Sequence, residues 1–230
     1  MASQFTRVFY ARENIAPSHP VQTDPDFAIT PALCWYPSCR PRPELVLAKG
    51  THMPDFTTLR QLFEAGLRDI YDAEHQIKKA LPKVIKAVTA QDLRDALASH
   101  LDETHGHVER LEQVFESVGL DAWGRRCAGM AGILEEGSEL LAAEGAPAVL
   151  DAGFIAECQR VEHYEISAYG SLMAWAKILG YTQALELLKA NEDEEKAADS
   201  TLTKIAEAAV NLDAAPALES SVRAGMSVRE

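Results

Sequence analysis

Residues 160–166 read Arg-Val-Glu-His-Tyr-Glu-Ile and lie within a longer segment, residues 147–179, whose apolar residues recur with helical periodicity. On a helix that turns by about 100° per residue, Glu162 falls at the centre of the apolar face and Glu165 about 60° to one side. The other residues of that face are Ile155, Cys158, Ile166, Tyr169, Met173 and Ala176. An unpaired carboxylate in an apolar core costs several kcal/mol or takes up a proton. The position of Glu162 therefore indicates a buried polar partner.

The same pattern occurs earlier in the chain, where residues 73–77 (Ala-Glu-His-Gln-Ile) resemble residues 161–166. Glu74 again lies at the centre of an apolar face. Glu103 follows Glu74 by 29 residues, and Glu195 follows Glu162 by 33 residues. The repeat predicts two related helical hairpins, each with one glutamate on its first helix and an acidic cluster on its second.

Helical periodicity continues through most of the chain after residue 56, and no strand-like alternation occurs. We expect long helices at Thr57–Val88, Gln91–Val118, Pro147–Leu179 and Thr182–Asn211, and a shorter helix at Ala128–Ala143. Short turns within each pair of long helices predict antiparallel hairpins. The link from Leu120 to Gly145 is long enough to cross the bundle from end to end. The predicted fold is therefore all-α, a ferritin-like four-helix bundle of two hairpins joined by a long crossover that contains a short helix.

The domain organisation follows from an uneven distribution of charge and proline. Residues 1–52 carry a net charge of +1 and seven of the 11 prolines, without helical or strand periodicity. This stretch is predicted to be a disordered or non-native N-terminal extension. Two origins stay open: translation from a start upstream of the native one, or a genuine flexible tail. Residues 53–212 are predicted to form the bundle, and residues 213–230 a flexible C-terminal tail.

Composition excludes several classes of function. The chain has 22 Lys and Arg against 35 Asp and Glu and a net charge of −13, which argues against nucleic acid as the main partner. No apolar run has the length of a membrane-spanning helix, and no secretory signal is evident. The four cysteines form no C-x-x-C pair, which is typical of reduced thiols in a cytoplasmic protein. No phosphate-binding loop or nucleophile motif supports a nucleotide-dependent or hydrolytic enzyme.

Each of the four long helices directs acidic or imidazole side chains toward the core, and a shared cation is the simplest explanation. Carboxylates and imidazoles suit iron or manganese, whereas a zinc site would more often contain cysteine or a tighter set of histidines. Two related hairpins predict a pair of such ions on their pseudo-two-fold axis. On the second helix, His100 and His107 both lie within the apolar face.

Several short motifs together resemble the YciE/YciF stress-protein family of the ferritin-like superfamily over about residues 59–210. They are residues 72–74, 80–83, 100–104, 110–112, 160–166, 168–170 and 194–196 with Asp199. The run at 160–166 is the most specific of them. The resemblance implies a ferritin-like bundle, a homodimer, the bacterial cytoplasm and a role in stress.

The resemblance also favours one histidine, because His100 stands in a family-like His-x-x-Glu run and His107 does not. His107 is the second choice. The predicted metal ligands are then Glu74, His100, Glu103, Glu162, Glu165, Glu195 and Asp199. For His100, Glu165 and Asp199, a salt bridge or a hydrogen bond to a ligand is an equal alternative. No catalytic residue is predicted.

One departure from the superfamily affects the functional prediction. The usual second and fourth helices carry Glu-x-x-His, whereas Gly106 and Ala198 stand three residues after Glu103 and Glu195. The first prediction is a di-iron or di-manganese carboxylate protein of bacterial stress response that handles oxygen, peroxide or iron. The alternative is a non-catalytic structural or binding bundle with a weak or empty site. A ferritin-type storage cage ranks third, since no feature marks cage assembly.

Overall fold

The computed structural model describes residues 56–215. The predictions for residues 1–52 and for the tail beyond residue 215 lie outside that part of the chain. The helices are α1 (Leu59–Ala87), α2 (Gln91–Ser117), α3 (Ala128–Leu141), α4 (Pro147–Leu179), α5 (Thr182–Ile205) and α6 (Asn211–Ala214), with a π-helical turn at Ala206–Val210. No strand occurs among the described residues. The predicted all-α class is confirmed.

Local sequence signals account for the helix ends. Thr58 caps α1 with a capping box, in which Gln61 N–H donates to Thr58 Oγ1 and Thr58 N–H donates to Gln61 Oε1. Pro147 occupies the first turn of α4, where its missing N–H costs nothing. Gly180 ends α4 at a φ of 77°, a left-handed conformation that lets the chain reverse into α5.

The four long helices form a ring in the order α1, α2, α5, α4, with each helix packed against the next and α4 packed against α1. Asp151, near the start of α4, accepts hydrogen bonds from the N–H groups of Thr89 (2.9 Å) and Ala90 (2.8 Å), just before α2. Helices α2 and α4 therefore begin at the same end of the bundle. Since α1–α2 and α4–α5 are hairpins, every pair of neighbours in the ring is antiparallel.

The crossover from α2 to α4 carries α3, which packs against α1 and α4 on the outside of the ring. Large side chains from all four long helices fill the interior, among them Phe63, Leu97, Tyr169 and Leu188. None of the helices between residues 56 and 215 has an apolar stretch of the length needed to traverse a lipid bilayer. The bundle therefore has a shared core, and the polar residues within it require an explanation.

Candidate metal centre

Six acidic and imidazole side chains meet in the middle of this core. One lies on α1, two on α2, two on α4 and one on α5. They are Glu74, His100, His107, Glu162, Glu165 and Glu195, and none is more than 5% exposed. Helical periodicity places them there, because each lies on the face that its helix turns toward the bundle axis.

The six residues form two groups that share Glu195. The four-residue group consists of His100, Glu162, Glu165 and Glu195, and the three-residue group of Glu74, His107 and Glu195. Within each group the potential ligand atoms all lie within 4.8 Å of one another.

Glu195 stands between the two histidines. Its Oε1 is 2.9 Å from His107 Nδ1, and its Oε2 is 3.8 Å from His100 Nε2. The two imidazole ring centroids are 6.2 Å apart. Each oxygen of one carboxylate therefore faces a different histidine, an arrangement suited to a carboxylate that bridges two ions.

The other nitrogen of each histidine faces a carboxylate farther from the bundle axis. His107 Nε2 is 3.0 Å from Glu194 Oε2, and His100 Nδ1 is 3.4 Å from Glu103 Oε2. A carboxylate that accepts a hydrogen bond from one imidazole N–H fixes the ring and leaves the other nitrogen as a potential ligand atom. Glu194 and Glu103 thus orient His107 and His100 toward the core.

Glu74 is also held in place by its neighbours. The Tyr169 hydroxyl donates to Glu74 Oε1 and accepts a hydrogen bond from Asn191 Nδ2 at 2.9 Å. Asn191 in turn accepts from Arg110, which also pairs with Glu194. This network connects the partly exposed Arg110 to the core and fixes one oxygen of Glu74.

Three carboxyl groups of the centre, those of Glu162, Glu165 and Glu195, have raised pKa values and hold protons more tightly than usual. Burial raises the pKa values of Glu162 and Glu165 well above the usual range, and the neighbouring Glu195 carboxylate adds to both shifts. Burial also raises the pKa of Glu195, against the effect of His107. Burial lowers the pKa of His107, but the adjacent Glu195 and Glu74 carboxylates outweigh it and raise the pKa to about 11.

The hydrogen bonding of these residues is incomplete. Residues 56–215 contain nine buried side-chain nitrogen and oxygen atoms without a hydrogen-bond partner, and eight of them belong to the six residues of the centre. Both oxygens of Glu165 and of Glu195 are among them, as are His100 Nε2 and His107 Nδ1, although His107 Nδ1 lies 2.9 Å from Glu195 Oε1 as an ion pair. Buried polar atoms are normally satisfied, so a group of such atoms turned toward one another fits a bound cation.

Two of the predicted ligands do not lie in either group. Glu103 is on the outer side of His100, with its side chain 41% exposed. Asp199 accepts a hydrogen bond from Gln159 at 3.0 Å and lies 3.3 Å from His163 Nε2. The structure brings the other five predicted ligands together.

His107 is the residue of the centre that the predicted ligand set omits. The helical wheel places it in the apolar face of the second helix, and its side chain is completely buried. The signal was therefore present in the sequence, but the family resemblance put His100 first and His107 second. The structure places both histidines in the centre.

With the geometry established, comparison with known proteins identifies the family. The model of the family described as domain of unknown function DUF892 matches residues 58–215. The chain belongs to the DUF892 family. The match spans all the helices described above and the entire candidate metal centre.

Individual relatives lead to the same result. Protein YciF of Escherichia coli strain K12 is 43% identical over 150 residues, which are 65% of this chain and 90% of that protein. The crystal structure of the E. coli stress protein YciF matches with a TM-score of 0.66 and 42% identity, over 68% of this chain and 99% of that chain.

A second solved structure, YcfI from Rhodopseudomonas palustris, is described as a candidate structural protein. It matches with a TM-score of 0.64 and 45% identity, over 66% of this chain and 97% of that chain. The predicted membership in the YciE/YciF family is confirmed, and this DUF892 protein is a homologue of the stress protein YciF.

Proposed function

We propose that this protein binds two iron or manganese ions at the six-residue centre and acts with them in a bacterial stress response. One observation carries the proposal: eight buried ligand-type atoms of four glutamates and two histidines face one another without hydrogen bonds, and one ion pair, His107 to Glu195 at 2.9 Å, joins two of them. Four carboxylates and two imidazoles are also the donors of di-metal sites in ferritin-like bundles. Here both histidines lie on α2, whereas those sites take one from each of two helices.

The two groups assign the ligands. One ion would be held by His100, Glu162 and Glu165. The other would be held by Glu74 and His107, and Glu195 would contribute to both sites. A bound pair of iron or manganese ions would supply Lewis acidity and one-electron chemistry toward oxygen, peroxide or further iron.

The chain's own residues hold and orient this centre. Glu194 and Glu103 each accept a hydrogen bond from one imidazole and keep its other nitrogen turned inward. Tyr169 fixes Glu74, and the six residues of the centre are buried within the bundle. The homodimer and the cytoplasmic location implied by the family resemblance remain predictions.

A non-catalytic structural role is the second candidate. The description of the R. palustris relative as a candidate structural protein favours it. The raised pKa values of Glu162, Glu165 and Glu195 also allow the carboxyl groups to stay protonated without metal. In that case the bundle would be stable without ions.

Metal analysis of protein expressed with added iron or manganese, and purified without oxygen, distinguishes the two. We expect about two ions per chain, by the donor count of di-metal bundles, and their loss in the double variant Glu74→Ala, Glu162→Ala. Glu192→Ala is the matched control, since this buried α5 carboxylate pairs with Lys196 outside the centre. A metal-free wild-type protein, or a double variant with full metal content, would refute the metal proposal.

A further inference from the structure

A cavity of about 310 Å³ lies between α1, α3 and α4 and leads to the metal centre. Most of its wall is apolar, with contributions from Ile77, Leu81, Ile133, Leu134 and Phe154. The buried His100 and Glu162 of the four-residue group line its inner end. Its volume is at the lower end of the range of small-molecule pockets.

The open end of the cavity carries positive charge. Lys79 and Lys83 both line the cavity and are exposed, and they stand one turn apart on α1. Neither has an ion-pair or hydrogen-bond partner among the described residues. Glu157 also lines the cavity; its Oε1 pairs with Arg160 at 2.6 Å, whereas its Oε2 is buried without a hydrogen-bond partner.

We propose that this cavity binds an unbranched aliphatic carboxylate, with its chain directed toward His100 and Glu162 and its carboxylate at Lys79 and Lys83. The apolar wall accounts for the chain, and the two unpaired lysines account for the head group. A volume of about 310 Å³, at the lower end for small-molecule pockets, suits a ligand with a medium-length chain. Decanoate is therefore the probe of choice.

Any role of this ligand at the metal centre rests on the proposed function, because the cavity ends at His100 and Glu162, which would hold an ion. Binding itself requires only the cavity and the lysines. Decanoate binding is therefore measured by calorimetry on the metal-free full-length chain, and metal content is measured separately. Decanoate binding to a protein that takes up no metal would leave the cavity proposal intact and refute the metal proposal.

A pair of glycines on α3 offers a matched test of the cavity. A Cβ atom at Gly137, which lines the cavity, would lie 3.7 Å from Glu157 Cβ, an ordinary contact. At Gly132, outside the cavity, nothing lies within 4 Å of such an atom. Gly137→Leu therefore fills the cavity, whereas Gly132→Leu adds the same side chain to the same helix in open space. Both remove a glycine from a helix interior, which favours folding.

The lysines provide the test of the head group. The double variant Lys79→Gln, Lys83→Gln removes both charges, and Lys86→Gln removes an exposed α1 charge outside the cavity. Methyl decanoate provides the same chain without the charge.

We expect Gly137→Leu to weaken decanoate binding at least about tenfold, since it displaces about two methylene groups from the cavity. Gly132→Leu should leave the affinity unchanged. The double lysine variant should weaken decanoate binding by about tenfold and leave methyl decanoate binding unaffected. Equal affinities of the two glycine variants, or a double lysine variant that binds decanoate as the wild type does, would overturn the proposal. Thermal unfolding confirms that each variant is folded.

Discussion

Replacing Glu165 with Gln removes a titratable group from the metal centre while keeping the size of the side chain. Glu165 is fully buried on α4, and neither of its oxygens has a hydrogen-bond partner. Burial raises its pKa well above the usual range, and the Glu195 and Glu74 carboxylates add to the shift. We therefore expect Glu165→Gln to stabilise the metal-free protein at neutral pH.

The size of the effect follows from proton linkage. The folded metal-free protein keeps the Glu165 proton above pH 4.5, the ordinary pKa of a glutamate carboxyl, whereas the unfolded chain releases it. The free energy of unfolding then falls as pH rises toward the folded-state pKa, by about 1.4 kcal/mol per pH unit for one proton. From about pH 5 to about pH 7 the wild type loses up to about 2.7 kcal/mol through this group. The glutamine variant does not lose it, so the stability difference between the two proteins should grow over this range.

The assay is urea unfolding of chelator-treated protein at several pH values across that range. Glu192→Gln is the control, since its buried carboxylate pairs with Lys196 at 2.6 Å outside the centre. We expect no comparable pH-dependent gain from it. Addition of iron or manganese at about 100 times Kd should stabilise the wild type by about 2.7 kcal/mol and Glu165→Gln by less. A stability difference that stays constant with pH, or a variant less stable than the wild type at neutral pH, would refute the reasoning.

Three further predictions concern the scaffold, and urea unfolding checks each of them. Asp151→Ala should cost about 1–2 kcal/mol, because the N–H groups of Thr89 and Ala90, just before α2, lose their acceptor, whereas exposed Asp95→Ala should change little. Tyr169→Phe should cost about 1–2 kcal/mol, because Glu74 and Asn191 lose a buried hydrogen-bond partner. Unchanged stability would show that this hydrogen-bond network does not stabilise the fold. Gly180→Ala should cost about 1 kcal/mol at its left-handed φ, whereas Gly132→Ala in the α3 interior should gain a similar amount.

The fold was predictable because its signals are local. Pro147 at the start of α4 and Gly180 at its end fix both bounds of that helix, and the short turns require antiparallel hairpins. The wheel also placed Glu74 and Glu162 at the centres of their apolar faces, where both are buried. The π-helical turn after α5 was not predicted, since no residue of that segment distinguishes it from a continuing α-helix.

The ligand set was harder to predict, because a wheel gives an angle about one helix and nothing about its neighbours. Glu165 lies about 60° from the centre of its face, yet it is buried because α4 packs against α1, α3 and α5. The repeat suggested that Glu103 and Glu195 are equivalent. Glu195 is buried whereas Glu103 is half-exposed beside His100, which takes the inward position on α2. Asp199 lies near the angle of Glu195, but its partners are Gln159 and His163.

The Asp151 hydrogen bonds have a consequence for the independence of the two halves of the repeat. Helix α2 has no side-chain cap of its own at Ala90. The N–H groups of Thr89 and Ala90, just before the helix, instead donate to Asp151, which belongs to the other hairpin. A peptide of residues 56–118 alone would expose these groups to water and begin α2 without its anchor. The two halves of the repeat are therefore not equivalent, because the segment that leads into α2 is held by a residue of the second hairpin.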